Sequence, residues 1–258
     1  MVWPEEAGSG EEPHNIEKEA SDRRRAGLSP GRNGGCCCRG CAPGYLEAKE
    51  ADRQSRPDRP RKEHRSGFLA YERMLVSHPE LAGNVEFWAF LQPSRLDVAD
   101  YREYMQRIQS TAGRINAELK QPGWQPIRLE FREDLKRAVA AYKSFDVLLV
   151  NPIYDGMNLV AKEGMFLNTV DGVLVLSENA GAHEQLGAHA LSVNPFDVDA
   201  TANALYRGLS MPIEERRARG EEIRRQVRSN DIFQWLRSQL DDIREYAPSR
   251  LRHQRPPR

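Results

Sequence analysis

The sequence predicts an α/β fold, a single Rossmann-like, doubly wound parallel sheet, from three observations. Short apolar runs without alternation, Val147–Val150 and Gly172–Leu176, are typical of strands buried on both faces of a parallel sheet. Segments with apolar residues at helical spacing separate such runs along the chain. The turn residues Asp155-Gly156 lie between the first run and a helical pattern that starts near Met157. Right-handed crossovers would bring the turns after the strands to one edge, where ligands bind.

Apolar periodicity and the positions of Gly, Pro, Asn and Asp predict the remaining elements. Before the central turn, the sequence predicts a helix over 68–78, a strand over Val85–Leu91, a long helix from Asp97, a strand over Ile127–Phe131 and a helix over Leu135–Tyr142. After it, the sequence predicts a strand over Gly172–Leu176, a glycine-bearing turn and short helix over Asn179–Gly187, a strand over Ala190–Val193, and three helices starting near Val198, Pro212 and Asn230 or Asp231.

Composition divides the chain into three parts. Residues 1–65 are crowded with Gly, Pro, Arg and Glu, and their apolar residues follow no period. Such a segment cannot bury enough apolar surface to offset its ordering entropy, so we expect a disordered tail. Residues 66–246 carry the periodic pattern of one folded domain, and residues 247–258 are expected to fray.

Charge and hydropathy exclude several function classes. The 258 residues include 38 Lys and Arg and 38 Asp and Glu. This balance gives no electrostatic reason to expect nucleic acid or an anionic membrane as the main partner. No apolar stretch approaches the ~20 residues of a membrane span, and the first residues lack a signal-peptide pattern. We therefore expect a cytoplasmic protein.

All four cysteines lie together, at Cys36, Cys37, Cys38 and Cys41. The pair Cys38-x-x-Cys41 has the spacing of a zinc or redox site, but the chain has no second C-x-x-C pair to complete one. We expect reduced thiols here and no metal site.

The central segment, Asn151–Glu163, carries the candidate chemistry. A strand, a glycine turn and a helix point free backbone N–H groups outward at the helix start, where the dipole favours an anion such as a diphosphate. Asp155 and Glu163 place carboxylates where sugar hydroxyls can be held. Taken alone, the turn favours an ordinary β–α junction over a binding site, because it lacks a G-x-G-x-x-G fingerprint.

The segment D-G-M-N-L-V-A-K-E, residues 155–163, resembles the donor-binding motif of the trehalose-6-phosphate synthase family, retaining glycosyltransferases of the GT-B fold. The similarity runs from about Phe68 to Ile243, the C-terminal half of that fold. Further segments resemble family motifs: Phe68–Glu72, Ser94-Arg95 with Asp97-Val98, Ala112–Asn116, Gly172–Glu178 with Ala180–Ala182, and Asn194–Val198.

The resemblance implies an enzyme of trehalose biosynthesis that joins glucose from UDP-glucose to glucose 6-phosphate, with no metal and no cofactor. It also implies a donor site whose members lie in the central segment, with Glu133 at the uracil-facing position by the family's spacing. The implied donor-binding residues are Asp155, Gly156, Met157, Asn158, Leu159, Val160, Ala161, Lys162, Glu163 and Glu133.

Two cationic residues outside this segment match family positions. Arg95 matches the arginine that grips the acceptor phosphate, and a guanidinium fork suits a phosphate. Counted back from Phe68, Lys62 takes the position of the lysine in the family's R-L-D-Y-x-K-G motif. In the family this lysine contacts the donor phosphate. The rest of that motif is missing, because Pro57 stands at the position of its arginine and Glu63 at the position of its glycine.

The N-terminal half of the GT-B pair, with its acceptor residues and catalytic histidine, is also missing, so we name no catalytic residue. A truncated or diverged synthase with little activity alone is therefore the first hypothesis. The alternatives are a non-catalytic nucleotide-sugar-binding or interaction module, and a relative that uses another acceptor such as glycerol phosphate or a cyclitol. The partners expected are a nucleotide sugar, a sugar phosphate, and either a polypeptide carrying the missing domain or further copies of this chain.

Overall fold

The structure, a computed structural model, describes residues 44–48, 64–91, 99–131 and 135–251. Its elements in chain order are β1 (Gly44–Ala48), α1 (His64–Ser77), a 3-10 turn (Pro79–Leu81), β2 (Phe87–Leu91), α2 (Ala99–Glu118), β3 (Ile127–Glu130), α3 (Leu135–Ser144), β4 (Val147–Val150), α4 (Leu159–Leu167), β5 (Val173–Ser177), α5 (His183–Leu186), β6 (Leu191–Val193), α6 (Val198–Ser210), α7 (Ile213–Ser229) and α8 (Ile232–Leu251).

The strands form one parallel sheet in the order β3-β2-β1-β4-β5-β6. This is the doubly wound order, in which the direction of strand addition reverses between β1 and β4. The predicted fold class is therefore confirmed. A crevice outside the carboxyl ends of β1 and β4 is the ligand position that this topology favours.

Helices cover both faces of the sheet, and the buried side chains of β4 show how the two layers divide. Val147 and Leu149 join a core with α1, α2 and α6, whereas Leu148 and Val150 join a core with α3, α4 and α7. All four are buried, which explains why the run shows no polar alternation.

The central position of β1 corrects the expectation of disorder over residues 1–65. Gly44–Ala48 pair with Phe87–Leu91 over their full length, and Tyr45 pairs with Leu148 of β4. The expectation is wrong for these five residues, because a strand between two neighbours forms ladder hydrogen bonds on both sides whatever its flanking composition. The other residues of 1–63, including the four cysteines, lie outside the described part of the chain.

Both ends of the predicted domain also differ slightly from the structure. Helix α1 begins at His64, two residues before the expected boundary at 66, and α8 continues to Leu251 across the segment expected to fray from 247. Residues 252–258 lie outside the described ranges. Helix α4 begins at Leu159 rather than near Met157, because Asn158 provides its N-cap.

Asn168, the C-cap residue of α4, is buried in the connection from α4 to β5. Its Nδ2 donates to the carbonyl oxygens of Tyr142 and Phe145, at 3.3 and 2.9 Å. Its Oδ1 accepts from the N–H groups of Val170 and Gly172, at 3.1 and 2.7 Å. One buried amide therefore bonds four backbone groups, two carbonyls at and just after the end of α3 and two N–H groups between α4 and β5.

We expect Asn168→Ala to lower the free energy of unfolding by about 2–4 kcal/mol, because it leaves several buried backbone groups without a partner. Urea denaturation followed by circular dichroism measures this change. The matched control is Asn84→Ala, which removes an exposed amide that donates to the Glu80 carbonyl oxygen and should cost less than about 1 kcal/mol. Equal losses in the two variants would contradict a structural role for the buried amide.

Candidate functional site

The candidate site lies where β4 ends, beside the point at which the strand order reverses. The chain leaves Val150, passes through the turn at Asp155 and Gly156, and enters α4 at Leu159. The turn packs against the loop after β5, because the Asp155 N–H donates to the Asn179 carbonyl at 3.3 Å and its carbonyl accepts from the Gly181 N–H at 3.0 Å. These bonds continue the pairing of β4 and β5 beyond the carboxyl edge of the sheet.

Asn158 fixes both the start of α4 and the position of the Asp155 carboxylate. Its Nδ2 donates to Asp155 Oδ2 at 3.0 Å, and its Oδ1 accepts from the Ala161 N–H at 3.1 Å. Its φ of 59° lies in the left-handed region, which asparagine tolerates better than most residues. One side chain therefore holds an acidic group beside a helix N-terminus.

The first turn of α4 can receive an anion through its backbone. The N–H groups of Leu159 and Val160 have no intrahelical acceptor by helix geometry, and the helix dipole adds positive potential there. Gly156 is exposed, and a Cβ at that position would meet nothing within 4 Å. Met157 is also about half exposed. Within the described ranges, the approach to the helix start is therefore open.

The side chains of α4 divide between the core and the site. Val160 and Ala161 are buried against the sheet, so a ligand could meet them through the backbone alone. The Ala161 N–H is already bonded to Asn158. Lys162 and Glu163 are half-buried on the second turn, and burial lowers the pKa of the Lys162 ammonium from its ordinary value.

The structure brings together Asp155–Glu163, nine of the predicted site residues, as one turn and helix start. Three other predicted positions, Glu133, Arg95 and Lys62, lie outside the described residues. Their roles stay predictions.

Two residues that support the site were given no role from the sequence. Ser177 is fully buried at the end of β5; its Oγ donates to the Pro152 carbonyl at 2.8 Å and accepts from the Asn179 N–H at 3.1 Å. A Cβ on Gly181 would lie 1.7 Å from the Gly156 carbonyl oxygen, so the two turns meet where a side chain cannot fit. A polar residue ending a buried apolar strand was the available signal for Ser177.

Asn151, at the carboxyl end of β4, is a third such residue. Its Nδ2 donates to Ser66 Oγ in the first turn of α1 at 3.1 Å, and the Asn151 residue is buried. The bond ties the start of α1 to the strand that leads into the candidate turn.

Across the described residues, no three His, Cys, Asp or Glu side chains are grouped so that they could hold a metal ion. Among the helices that the structure describes, none combines the length and the apolar character needed to cross a bilayer.

Comparison with known proteins gives a consistent result. A profile of glycosyltransferase family 20 matches residues 60–245. The trehalose-6-phosphate synthase of Klebsiella pneumoniae subsp. pneumoniae is 42% identical over 192 residues, which cover 72% of this chain and 40% of that protein.

Solved structures agree in fold. The E. coli structure described as trehalose-6-phosphate bound with UDP-2-fluoro glucose superposes with a TM-score of 0.71 and 33% identity, over 88% of this chain and 49% of that one. A UDP-forming alpha,alpha-trehalose-phosphate synthase from Burkholderia xenovorans, in complex with glucose-6-phosphate, superposes with a TM-score of 0.68 and 35% identity. This match covers 71% of this chain and 41% of that one.

The chain thus spans between 40% and 49% of the length of these proteins. The match covers the candidate turn, α4 and the loop after β5, and it confirms the resemblance drawn from residues 155–163. The chain belongs to glycosyltransferase family 20.

Proposed function

We propose that this chain is the donor-binding half of a glycosyltransferase of the trehalose-6-phosphate synthase type, with UDP-glucose as its nucleotide sugar and glucose 6-phosphate as the acceptor of the complete enzyme. The observation that carries the proposal is the strand–turn–helix unit at the reversal of strand order, with the Asp155 carboxylate held by Asn158 beside the open start of α4.

The chemistry of UDP-glucose fits this unit part by part. The diphosphate would lie at the N–H groups of Leu159 and Val160, where the helix dipole and the nearby Lys162 ammonium offset its charge without a metal ion. The Asp155 carboxylate would accept from hydroxyls of the glucose, and the Glu163 carboxylate from hydroxyls of the ribose. Charged acceptors of this kind make stronger hydrogen bonds than neutral ones.

Names and bound ligands of the relatives support the two substrates. One relative holds UDP-2-fluoro glucose and another holds glucose-6-phosphate, and the second is described as UDP-forming. In this proposal Arg95 would contact the phosphate of the acceptor, Lys62 the donor phosphate, and the Glu133 backbone the uracil ring.

A second candidate function is a nucleotide-sugar-binding module without catalysis. The observation that favours it is the share of each relative that this chain spans, which is at most 49% for the proteins compared above. A relative that uses another acceptor stays a third proposal, because acceptor choice would rest largely with the part of the enzyme that this chain does not span.

The full chain should bind UDP with a Kd of about 0.1–1 mM, since the diphosphate site is local to one turn and one helix start. Isothermal titration calorimetry measures the affinity. Asp155→Ala and Glu163→Ala should each weaken binding of UDP-glucose about tenfold, because each removes a charged acceptor.

The matched control is Glu103→Ala, an exposed carboxylate on α2 that pairs with Arg107. This variant should bind UDP-glucose as the unchanged chain does. The absence of heat at millimolar UDP would overturn the donor-site proposal. If UDP-glucose does bind but Asp155→Ala and Glu163→Ala leave its affinity unchanged, the assignment of those two residues is wrong.

Gly181→Ala should separate the turns after β4 and β5, because its Cβ would overlap the Gly156 carbonyl oxygen. We expect a lower melting temperature and at least a tenfold loss of UDP affinity. Gly113→Ala is the control, since a Cβ on that exposed α2 glycine meets nothing within 4 Å and should leave both quantities unchanged or raise stability slightly. Unchanged UDP affinity in Gly181→Ala would show that the contact between the turns does not shape the site.

The chain alone should form no measurable trehalose 6-phosphate from UDP-glucose and glucose 6-phosphate. Positioning of the acceptor against the donor carbon can supply ~7–11 kcal/mol of the barrier, and one half of the site cannot position both substrates. Product is measured by mass spectrometry, with the complete Klebsiella pneumoniae relative as the positive control. Sustained turnover by the chain alone would contradict the half-site interpretation.

A further inference from the structure

Lys162 differs in its surroundings from the other lysines that the structure describes. Lys120, Lys136 and Lys143 are exposed, whereas Lys162 is half-buried on the second turn of α4. Within the described ranges its ammonium has neither an ion pair nor a hydrogen bond. Water is therefore what stabilises the charge of Lys162, and burial removes part of that water.

Two large apolar side chains flank Lys162 on the same face of α4. Leu159 lies three residues before it and Phe166 four residues after it, which places all three on one side of the helix. Leu159 is 49% exposed and Phe166 is 42% exposed, so this face is a surface that a small molecule can reach. Burial lowers the pKa of the Lys162 ammonium from its ordinary value, which raises the fraction of neutral amine at a given pH.

Groups that attract an anion lie on both sides of this lysine. Toward the helix start, the N–H groups of Leu159 and Val160 have no intrahelical acceptor, and long helical side chains lean in that direction. Toward the helix end, the Arg228 Cζ atom of α7 lies 5.5 Å from the centre of the Phe166 ring. An anion drawn to this face therefore meets an amine that no described residue holds.

We propose that Lys162 is a covalent modification site for small phosphorylated aldehydes. The phosphate binds at the start of α4, one helical turn (~5 Å) before Lys162, and the aldehyde reaches the amine. The neutral Nζ attacks the carbonyl carbon. The two hydrogens of Nζ leave with the carbonyl oxygen as one water molecule, and a C=N bond joins Nζ to that carbon.

The inference rests on the proposed function for the place of the phosphate, which is that of the donor diphosphate. The open-chain form of glucose 6-phosphate, the proposed acceptor, belongs to the same chemical class. Because the adduct and the diphosphate would occupy one place, bound UDP should protect Lys162 from modification. A modified chain should bind UDP at least tenfold more weakly.

The test treats the full chain with pyridoxal 5′-phosphate, reduces the imine with cyanoborohydride and locates the labelled lysines by peptide mass spectrometry. The exposed Lys143 on α3 is the internal reference, because the ratio of the two labelling rates cancels the intrinsic reactivity of the aldehyde. We expect Lys162 to react at least about fivefold faster than Lys143, since it combines a larger neutral fraction with a nearby phosphate site. A ratio near one would overturn the proposal.

Pyridoxal, which lacks the phosphate, tests the class of ligand. With pyridoxal the ratio should fall at least about threefold, because no phosphate then holds the aldehyde beside Lys162. An equal ratio with the two probes would overturn the phosphate requirement. Glucose 6-phosphate and glucose are compared in the same way over a longer incubation. If only pyridoxal 5′-phosphate modifies Lys162, the proposed acceptor does not belong to the class that this site takes.

Two arginine variants of α7 test the cation beside Phe166. Arg228→Gln removes it and should lower the ratio measured with pyridoxal 5′-phosphate about twofold, since exposed charges act weakly at this range. Arg225→Gln is the matched control, because that arginine pairs with Glu222, and its ratio should equal that of the unchanged chain. Equal effects of the two changes would contradict a role for Arg228.

A lysine variant connects the label to the donor site. Lys162→Arg keeps the positive charge and removes the amine, so treatment with pyridoxal 5′-phosphate should leave its UDP affinity equal to that of its own untreated sample. Lys143→Arg is the control, and treatment should weaken its UDP binding as in the unchanged chain. The same loss in treated Lys162→Arg would assign the effect to another lysine.

The two proposals fail separately, because labelling is measured without UDP and UDP affinity is measured without label. Selective labelling of Lys162 in a chain that binds no UDP would overturn the proposed function. Binding of UDP with no preference for Lys162 would overturn this inference alone.

Discussion

Burial of the sheet on both faces is the constraint that decides where this protein can bind a ligand. Leu148 and Val150 pack under α3, α4 and α7, and Val147 and Leu149 pack under α1, α2 and α6. With both faces covered by helices, backbone groups and polar side chains meet solvent together at the edges of the sheet. At the carboxyl edge the reversal between β1 and β4 separates the helices that follow these strands, which leaves space for a ligand.

The chemistry at that edge depends on groups that never need to touch a ligand. Asn158 orients Asp155, and Ser177 holds the backbone of Pro152 from beneath. Gly181 lets the next turn pack directly on Gly156. Together they hold the turn between two strands, so an anion at α4 would meet N–H groups that are already in place. Groups that are ordered in advance lose less entropy when the ligand arrives.

The sequence could predict the parts of this site that depend on local pattern. Val147–Val150 is a strand because both its faces are apolar, and Asp155-Gly156 is a turn because of its residue types. It could not predict the tertiary parts. Gly44–Ala48 is a strand through pairing with two distant neighbours, and the closeness of Gly181 to Gly156 exists only after β4 and β5 align. The left-handed backbone of Asn158 follows from a side-chain bond that periodicity does not reveal.

Donor binding and sugar transfer place different demands on this fold. In the proposed function, binding would use backbone N–H groups, Asp155 and the loop at Gly181, all of which lie in this chain. Transfer requires an acceptor hydroxyl held against the donor carbon, and stabilisation that is greater in the transition state than in the ground state. Those groups must converge from both sides of a closed cleft. In the proposed function the chain keeps the binding chemistry, while transfer depends on the half of the relatives that this chain does not span.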